Sequence, residues 1–234
     1  MSGKRNGNNI PASWYDRDCR RCPRLVDFLS GVKAQFPDYA CRPVPPFGDP
    51  AARLLIVGLA PGKHGANATG RPFTGDFAGV LLYRTLYRFG LTSRADSIGA
   101  GDGLVLHGCR ITNAVKCLPP QNRPATDEVK ECNGYLRAEL QSLAAGSVVL
   151  SLGQIAFGAV LRALDQTIAH YKFRHGAAYI IDSPGIDSPG IESLVLLASY
   201  HCSRYNTQTG RLTSAMFEEV VHQAVTLLDG SHPD

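Results

Sequence analysis

No stretch of the 234-residue chain approaches the roughly 20 apolar residues that a membrane-spanning helix needs. The opening MSGKRNGNNIPASWYDRD lacks the apolar centre of a secretory signal. These absences exclude a helical membrane protein and make a soluble, cytoplasmic protein the expectation. Charge of one sign is also scarce: 24 Lys+Arg against 20 Asp+Glu leave +4. That balance permits a polyanionic partner without arguing for one. The 7 cysteines are an odd number, so a complete disulfide framework is excluded and metal binding or free thiols are raised. No Gly-x-Gly-x-x-Gly or Walker loop occurs, and no linker divides the chain. A single domain over 1–234 is therefore expected.

Hydrophobic residues make up 44% of the sequence, enough for a sizeable core. Residues 13–50 read as irregular, broken by six prolines from Pro23 to Pro50, with one short helix at Leu25 to Phe36. Arg53 to Gly58 is a short branched run that reads as a buried strand. Further strands are expected at Cys109 to Val115, Ser147 to Leu152 and Leu194 to Ser199. Between and after them come helical patterns at Phe77 to Phe89, Ala125 to Leu143, Gln154 to Leu164 and Thr213 to Leu228. Strands alternating with helices predict an α/β fold: one central, mostly parallel sheet with helices on both faces. A tandem Ile-Asp-Ser-Pro-Gly repeat at 181–190 reads as a surface loop and carries no function.

Cys19-Arg-Arg-Cys22 is a Cys-x-x-Cys on a proline-flanked segment, ahead of the α/β pattern. A thioredoxin-type motif would open a helix after a strand, so metal binding is the better reading. Cys117 and Cys132 could complete a site, although Cys132 equally fits the apolar face of its helix. Cys41, Cys109 and Cys202 fit as buried thiols. Spacing alone does not select four ligands from seven, and on spacing zinc stands ahead of iron–sulfur.

The loop from Gly58 to Asp76 follows a strand and precedes a helix. Its glycines allow backbone N–H groups to approach a ligand closely. Phe73 offers a stacking face, and His64 and Asp76 offer proton and charge chemistry, while Asp76 also stands where a helix cap belongs. A second polar segment, Ser199 to Thr213, follows another strand, and Asn113 ends a third. In a parallel sheet these ends share one side. Singly, Asp76 as cap, Asn113 as backbone partner and Phe73 as core are the ordinary readings; their shared position is what points to a site.

Several of these motifs in order resemble the iron–sulfur uracil-DNA glycosylases, most nearly the type 5 group. They are Gly58-Leu-Ala-Pro with His64-Gly65; Thr69-Gly-Arg-Pro-Phe-Thr-Gly-Asp76; Thr112-Asn-Ala-Val-Lys-Cys117 with Asn122-Arg123-Pro124; His201; and Thr209-Gly-Arg-Leu-Thr213. The resemblance implies an α/β/α sandwich that flips uracil, and other deaminated or damaged bases, out of DNA and hydrolyses the N-glycosidic bond to leave an abasic site. It implies a 4Fe-4S cluster on Cys19, Cys22, Cys117 and Cys132, in place of zinc, with 13–50 as the cluster-binding segment. On the same footing, Asp76, Asn113 and His201 would be catalytic. Gly58, Ala60, His64, Gly65, Phe73 and Asn113 would bind the base, and Lys63, Ser203, Arg204, Asn206 and Arg211 the DNA. A monomer, associated with the nucleoid through DNA, is the expectation. Two departures stand out. The family's His-Pro-Ser is His201-Cys202-Ser203 here, and Ala60-Pro61-Gly62 offers no polar group for water, as in type 5. The alternatives are a type 4 enzyme of narrower specificity, a non-catalytic iron–sulfur DNA-binding protein, and a zinc-dependent α/β hydrolase.

Overall fold

The computed structural model describes residues 10–182 and 193–230. Its organising element is one six-stranded sheet in the order β1-β3-β2-β4-β6-β5. The four inner strands are parallel: β2 (Leu54–Gly58), β3 (Cys109–Asn113), β4 (Val148–Leu152) and β6 (Ser193–Ser199). All residues of β2, β3 and β4 are buried; β2 and β4 accordingly read as nearly continuous apolar runs, whereas β3 buries Arg110, Thr112 and Asn113 among its residues.

Alternate residues serve the two faces. Leu55, Val57 and Val149 pack with α4 (Thr126–Gln141) and α5 (Gln154–Ala163). Leu54, Ile56 and Leu150 pack with α3 (Phe77–Arg88) and α7 (Ser214–Leu228). The mostly parallel α/β architecture expected from the sequence is the one observed.

The two edges differ from the expectation. β1 (Phe47–Gly48) and β5 (Ala178–Asp182) pair antiparallel with β3 and β6. In β5 only Ile181 is buried and Ile180 is 65% exposed; the apolar Ala178 to Ile181 run was not among the expected strands. Beyond Ile181 and Asp182, the tandem repeat lies outside the described residues. The proline-rich N-terminal segment holds α1 (Pro23–Gln35), which starts slightly earlier than expected because Pro23 suits the first helical turn. Two short helices within loops, α2 (Ala66–Thr69) and α6 (Arg204–Gln208), were not anticipated either.

The register fixes where chemistry can occur. Gly58 pairs with Asn113, and Leu152 with Ser199, so the four parallel strands end at one edge. The connection from β2 leads to β3 on one side, and that from β4 leads to β6 on the other. The carboxyl ends of β2 and β4 therefore flank the switch point at which open α/β sheets bind ligands. No described helix is long and apolar enough to cross a membrane.

Candidate active site and cysteine cluster

A cavity of about 600 Å³ opens at that edge. Its lining includes Ala60, Lys63, His64, Gly65, Phe73 and Asp76 from the β2–α3 loop, Asn113 from β3, and His201, Ser203 and Arg204 beyond β6. Ten of the sequence-nominated residues thus meet in one place. Gly58, Asn206 and Arg211 do not line it. Gly58 lies directly beneath: a Cβ there would sit 2.5 Å from Asn113 Oδ1 and 2.6 Å from the Phe73 ring. Only glycine lets both side chains close onto the strand end. Asn206 Nδ2 donates to the His201 carbonyl at 2.8 Å and so shapes the His201 loop. The Arg211 guanidinium lies 4.7 Å from the Tyr200 ring.

Sequence reasoning missed part of the lining. Leu152, Gly153 and Gln154, at the end of β4, line the cavity, as do Phe77 and Asn122. The available signal was Gly153, a glycine between a strand and a helix, the same junction that drew attention to the β2 loop.

Phe73 adopts φ 52°, a left-handed conformation costly for a bulky residue, in the range of about 1–3 kcal/mol. Its surroundings enforce it. A Cβ on Gly79 of α3 would meet the Phe73 carbonyl at 1.9 Å, so the helix packs against this backbone. Tyr83 Oη donates to the Pro72 carbonyl at 2.9 Å. Arg71, nearly buried, pairs with Asp102 at 2.8 Å and donates to Ser97 Oγ and the Ala100 carbonyl. Burial pushes the Asp102 carboxyl up, but backbone N–H donors and Arg71 outweigh it and hold the carboxyl well below the usual range. The ring so fixed lies 5.9 Å from the His201 imidazole.

Asp76 has two distinct oxygens. Oδ1 accepts from Gly79 N at 3.0 Å and caps α3. Oδ2 abuts the Gly62–Gly65 turn, close enough that a Cβ on Gly65 would lie 2.6 Å from it. Among the described residues the Asn113 amide and the His201 imidazole have no hydrogen-bond partner. Burial lowers the His201 pKa below its ordinary value, and the nearby Asp76 carboxylate opposes this without reversing it. His201 is therefore a neutral imidazole near pH 7, with one N–H to donate.

Cys19, Cys22, Cys117 and Cys132 line a second, much smaller cavity together with Lys116 and Tyr135. Lys116 N donates to Cys132 Sγ at 3.3 Å. The Tyr135 hydroxyl is buried there without a hydrogen-bond partner among the described residues. Burial and the neighbouring Cys132 push the Cys22 thiol up to about 11, and burial raises Cys117 and Cys132 likewise. Among the described residues no three His, Cys, Asp or Glu side chains are arranged to hold a single metal ion. Arg24 anchors this region by donating to both Glu128 oxygens at 2.8 and 2.6 Å. Cys41, Cys109 and Cys202 lie elsewhere: Cys41 accepts from Asn67 Nδ2, Cys109 faces the Leu91 carbonyl, and Cys202 is in the core.

Residues 45–224 match the family described as the uracil DNA glycosylase superfamily. The chain is 47% identical over 214 residues to a type-5 uracil-DNA glycosylase of Thermus thermophilus, covering 89% of this chain and 93% of that one. It is 42% identical to the type-5 enzyme of Pyrobaculum aerophilum, over 92% of this chain and 94% of that one. It is also 42% identical to that of Mycobacterium leprae, over 89% and 91%. With matches of this extent laid over the site just described, the chain belongs to the uracil DNA glycosylase superfamily.

Proposed function

We propose that this chain is a DNA-repair glycosylase that hydrolyses the N-glycosidic bond of uracil in DNA and leaves an abasic site. The observation that carries the reading is the pairing of two free polar heads, Asn113 and His201, in one cavity beside the fixed ring of Phe73. A base inside a duplex is beyond reach, so it must be extruded, at a cost of a few kcal/mol. Once extruded, it stacks on Phe73, while the Asn113 amide offers one donor and one acceptor to a pyrimidine edge. Cleavage leaves positive charge on the sugar and negative charge on the departing base. The neutral His201 N–H donates to the base as that charge develops, and the Asp76 carboxylate faces the sugar side and orients the attacking water. Lys63, Ser203 and Arg204 on the cavity rim grip the phosphates, and Arg211 reinforces this grip from beyond Tyr200.

A non-catalytic DNA-binding protein has no use for an amide and an imidazole left free in one cavity, and a type 4 enzyme is disfavoured because the relatives at 42–47% identity carry the type-5 name. We also propose a base spectrum broader than uracil, which the type 5 resemblance of the sequence motifs implies.

The cysteine site fits a 4Fe-4S cluster. Four thiols from three separate segments share one small cavity with an orphaned tyrosine hydroxyl. When bound, the cluster would supply thiolate–iron bonds that tie the N-terminal segment to α4 and to the loop that precedes it. Glycosidic hydrolysis transfers no electrons, so its role is structural.

The test is a single-turnover assay on an oligonucleotide carrying one uracil, followed by alkaline cleavage at the abasic site. Strand cleavage is expected at the uracil and at no normal base. Tight binding to the oligonucleotide without release of uracil would overturn the reading.

A further inference from the structure

We propose that Tyr39 is a positioning residue for His64, holding it as the Nε2–H tautomer so that the imidazole donates to a phosphate oxygen beside the extruded nucleotide. The inference rests on the glycosylase reading above. Tyr39 lies just beyond α1, in the segment that carries Cys19 and Cys22, and its ring stacks on Phe36 at 4.7 Å. Its hydroxyl lies 2.8 Å from His64 Nδ1. The His64 ring meets Phe36 edge-on at 5.5 Å, and the Lys63 ammonium sits 4.9 Å from the same Phe36 ring. Backbone bonds from Ala40 N to the Ala68 carbonyl and from Cys41 N to the Asn67 carbonyl, at 3.0 and 3.1 Å, strap this segment to the site loop. The partners are thus held by more than their own hydrogen bond.

The direction of that bond follows from acidity. A phenol is a better donor than a neutral imidazole N–H, and an imidazole nitrogen is a better acceptor than a phenol oxygen. Tyr39 therefore donates, Nδ1 accepts, and the ring proton resides on Nε2. His64 lines the cavity but is exposed at its rim, beside a lysine. An exposed donor next to a cation suits the phosphodiester rather than the buried base edge, and phosphate contacts are what position a protein on DNA. Tyr39 itself does not line the cavity.

The first measurement is the ¹⁵N–¹H long-range correlation spectrum of the wild-type imidazoles, where His64 is expected as the Nε2–H form. Tyr39→Phe keeps the stacked ring and is expected to give a mixture of tautomers. In uracil release it should lower kcat/KM by roughly three- to tenfold at unchanged kcat, the scale of one weakened charge-assisted hydrogen bond. In a His64→Ala background Tyr39→Phe should have no further effect. A methylphosphonate at one phosphate flanking the uracil should erase the difference between wild type and Tyr39→Phe. An Nδ1–H tautomer in the wild type, a Tyr39 effect that persists without His64, or a difference that survives every flanking methylphosphonate would overturn the proposal. Wild-type protein that releases no uracil would instead overturn the glycosylase reading, and the tautomer spectrum would still judge Tyr39.

Discussion

Asp76 offers a way to separate a structural role from a chemical one within a single side chain. Oδ1 caps α3 through Gly79 N, and Oδ2 faces the glycine turn of the cavity. Asp76→Ser retains a cap acceptor and removes Oδ2; Asp76→Asn retains Oδ1 and removes the charge; Asp76→Ala removes both. Loss of a cap costs about 1 kcal/mol. For a chain of this length that is a fall of about 2–4 °C in melting temperature. Asp76→Ala should show that fall and Asp76→Ser little of it. Loss of a positioned base is worth about 10²- to 10⁴-fold in rate, so all three variants should fall in single-turnover uracil release, Asp76→Asn included. The carboxylate also raises the His201 pKa against the effect of burial. In Asp76→Asn the His201 titration followed by NMR should therefore move further down. Wild-type release by Asp76→Asn would refute the chemical role and leave Asp76 a helix cap. Equal destabilisation by Asp76→Ser and Asp76→Ala would refute the division of labour between the oxygens.

His201→Ala should slow uracil release by about 10²- to 10³-fold, the loss typical of one anion-stabilising donor, while DNA affinity by fluorescence anisotropy barely changes. Gly58→Ala places a Cβ 2.5 Å from Asn113 Oδ1 and 2.6 Å from the Phe73 ring, so kinetics should show a rate loss out of proportion to any shift in melting temperature. His201 and His175 both have pKa values lowered by burial, so the unfolded chain binds more protons than the folded one once pH drops below about 6.5. Urea melts should show their contribution to stability intact above that pH and declining as pH falls through it; stability rising on acidification through this range would contradict it. Cys117→Ser should lose iron, measured by colorimetric assay, together with the protection of residues 13–50 from proteolysis; stoichiometric zinc in the wild type would sink the cluster assignment.

Much of this was legible because burial leaves a composition behind. Arg53 to Gly58 and Ser147 to Leu152 read as strands since every residue of β2 and β4 is buried. β5 was missed although Ala178 to Ile181 is apolar, because the four-residue run is short and runs into the Ile-Asp-Ser-Pro-Gly repeat, which reads as a loop. Asn113 and His201 could be nominated from topology, since strand ends in a parallel sheet share an edge. Tyr39 could not be, because its partner is 25 residues away and the contact depends on how the N-terminal segment folds over the loop. Arg110, Lys116 and Glu139 look like surface charges in sequence. In the fold they form a buried group, Lys116 Nζ bonding Glu139 Oε1 and Thr112 Oγ1 at 2.5 Å and Arg110 lying 4.1 Å from the Trp14 ring. Buried charges need partners from distant elements, and no local pattern encodes that.

The bond from Arg24 to Glu128 spans 104 residues of chain. At about 5–20 residues per second, a ribosome that has made Arg24 needs roughly 5–20 seconds more to deliver its partner. Through that interval the newborn Cys19 and Cys22 have neither α4 nor Cys117 and Cys132 to shelter against. The segment is thus made well before the helix it docks on. Its two thiols meet the cell's oxidants before α4 exists to hide them, and oxidative stress during synthesis should deplete this protein more than the same stress applied to finished molecules.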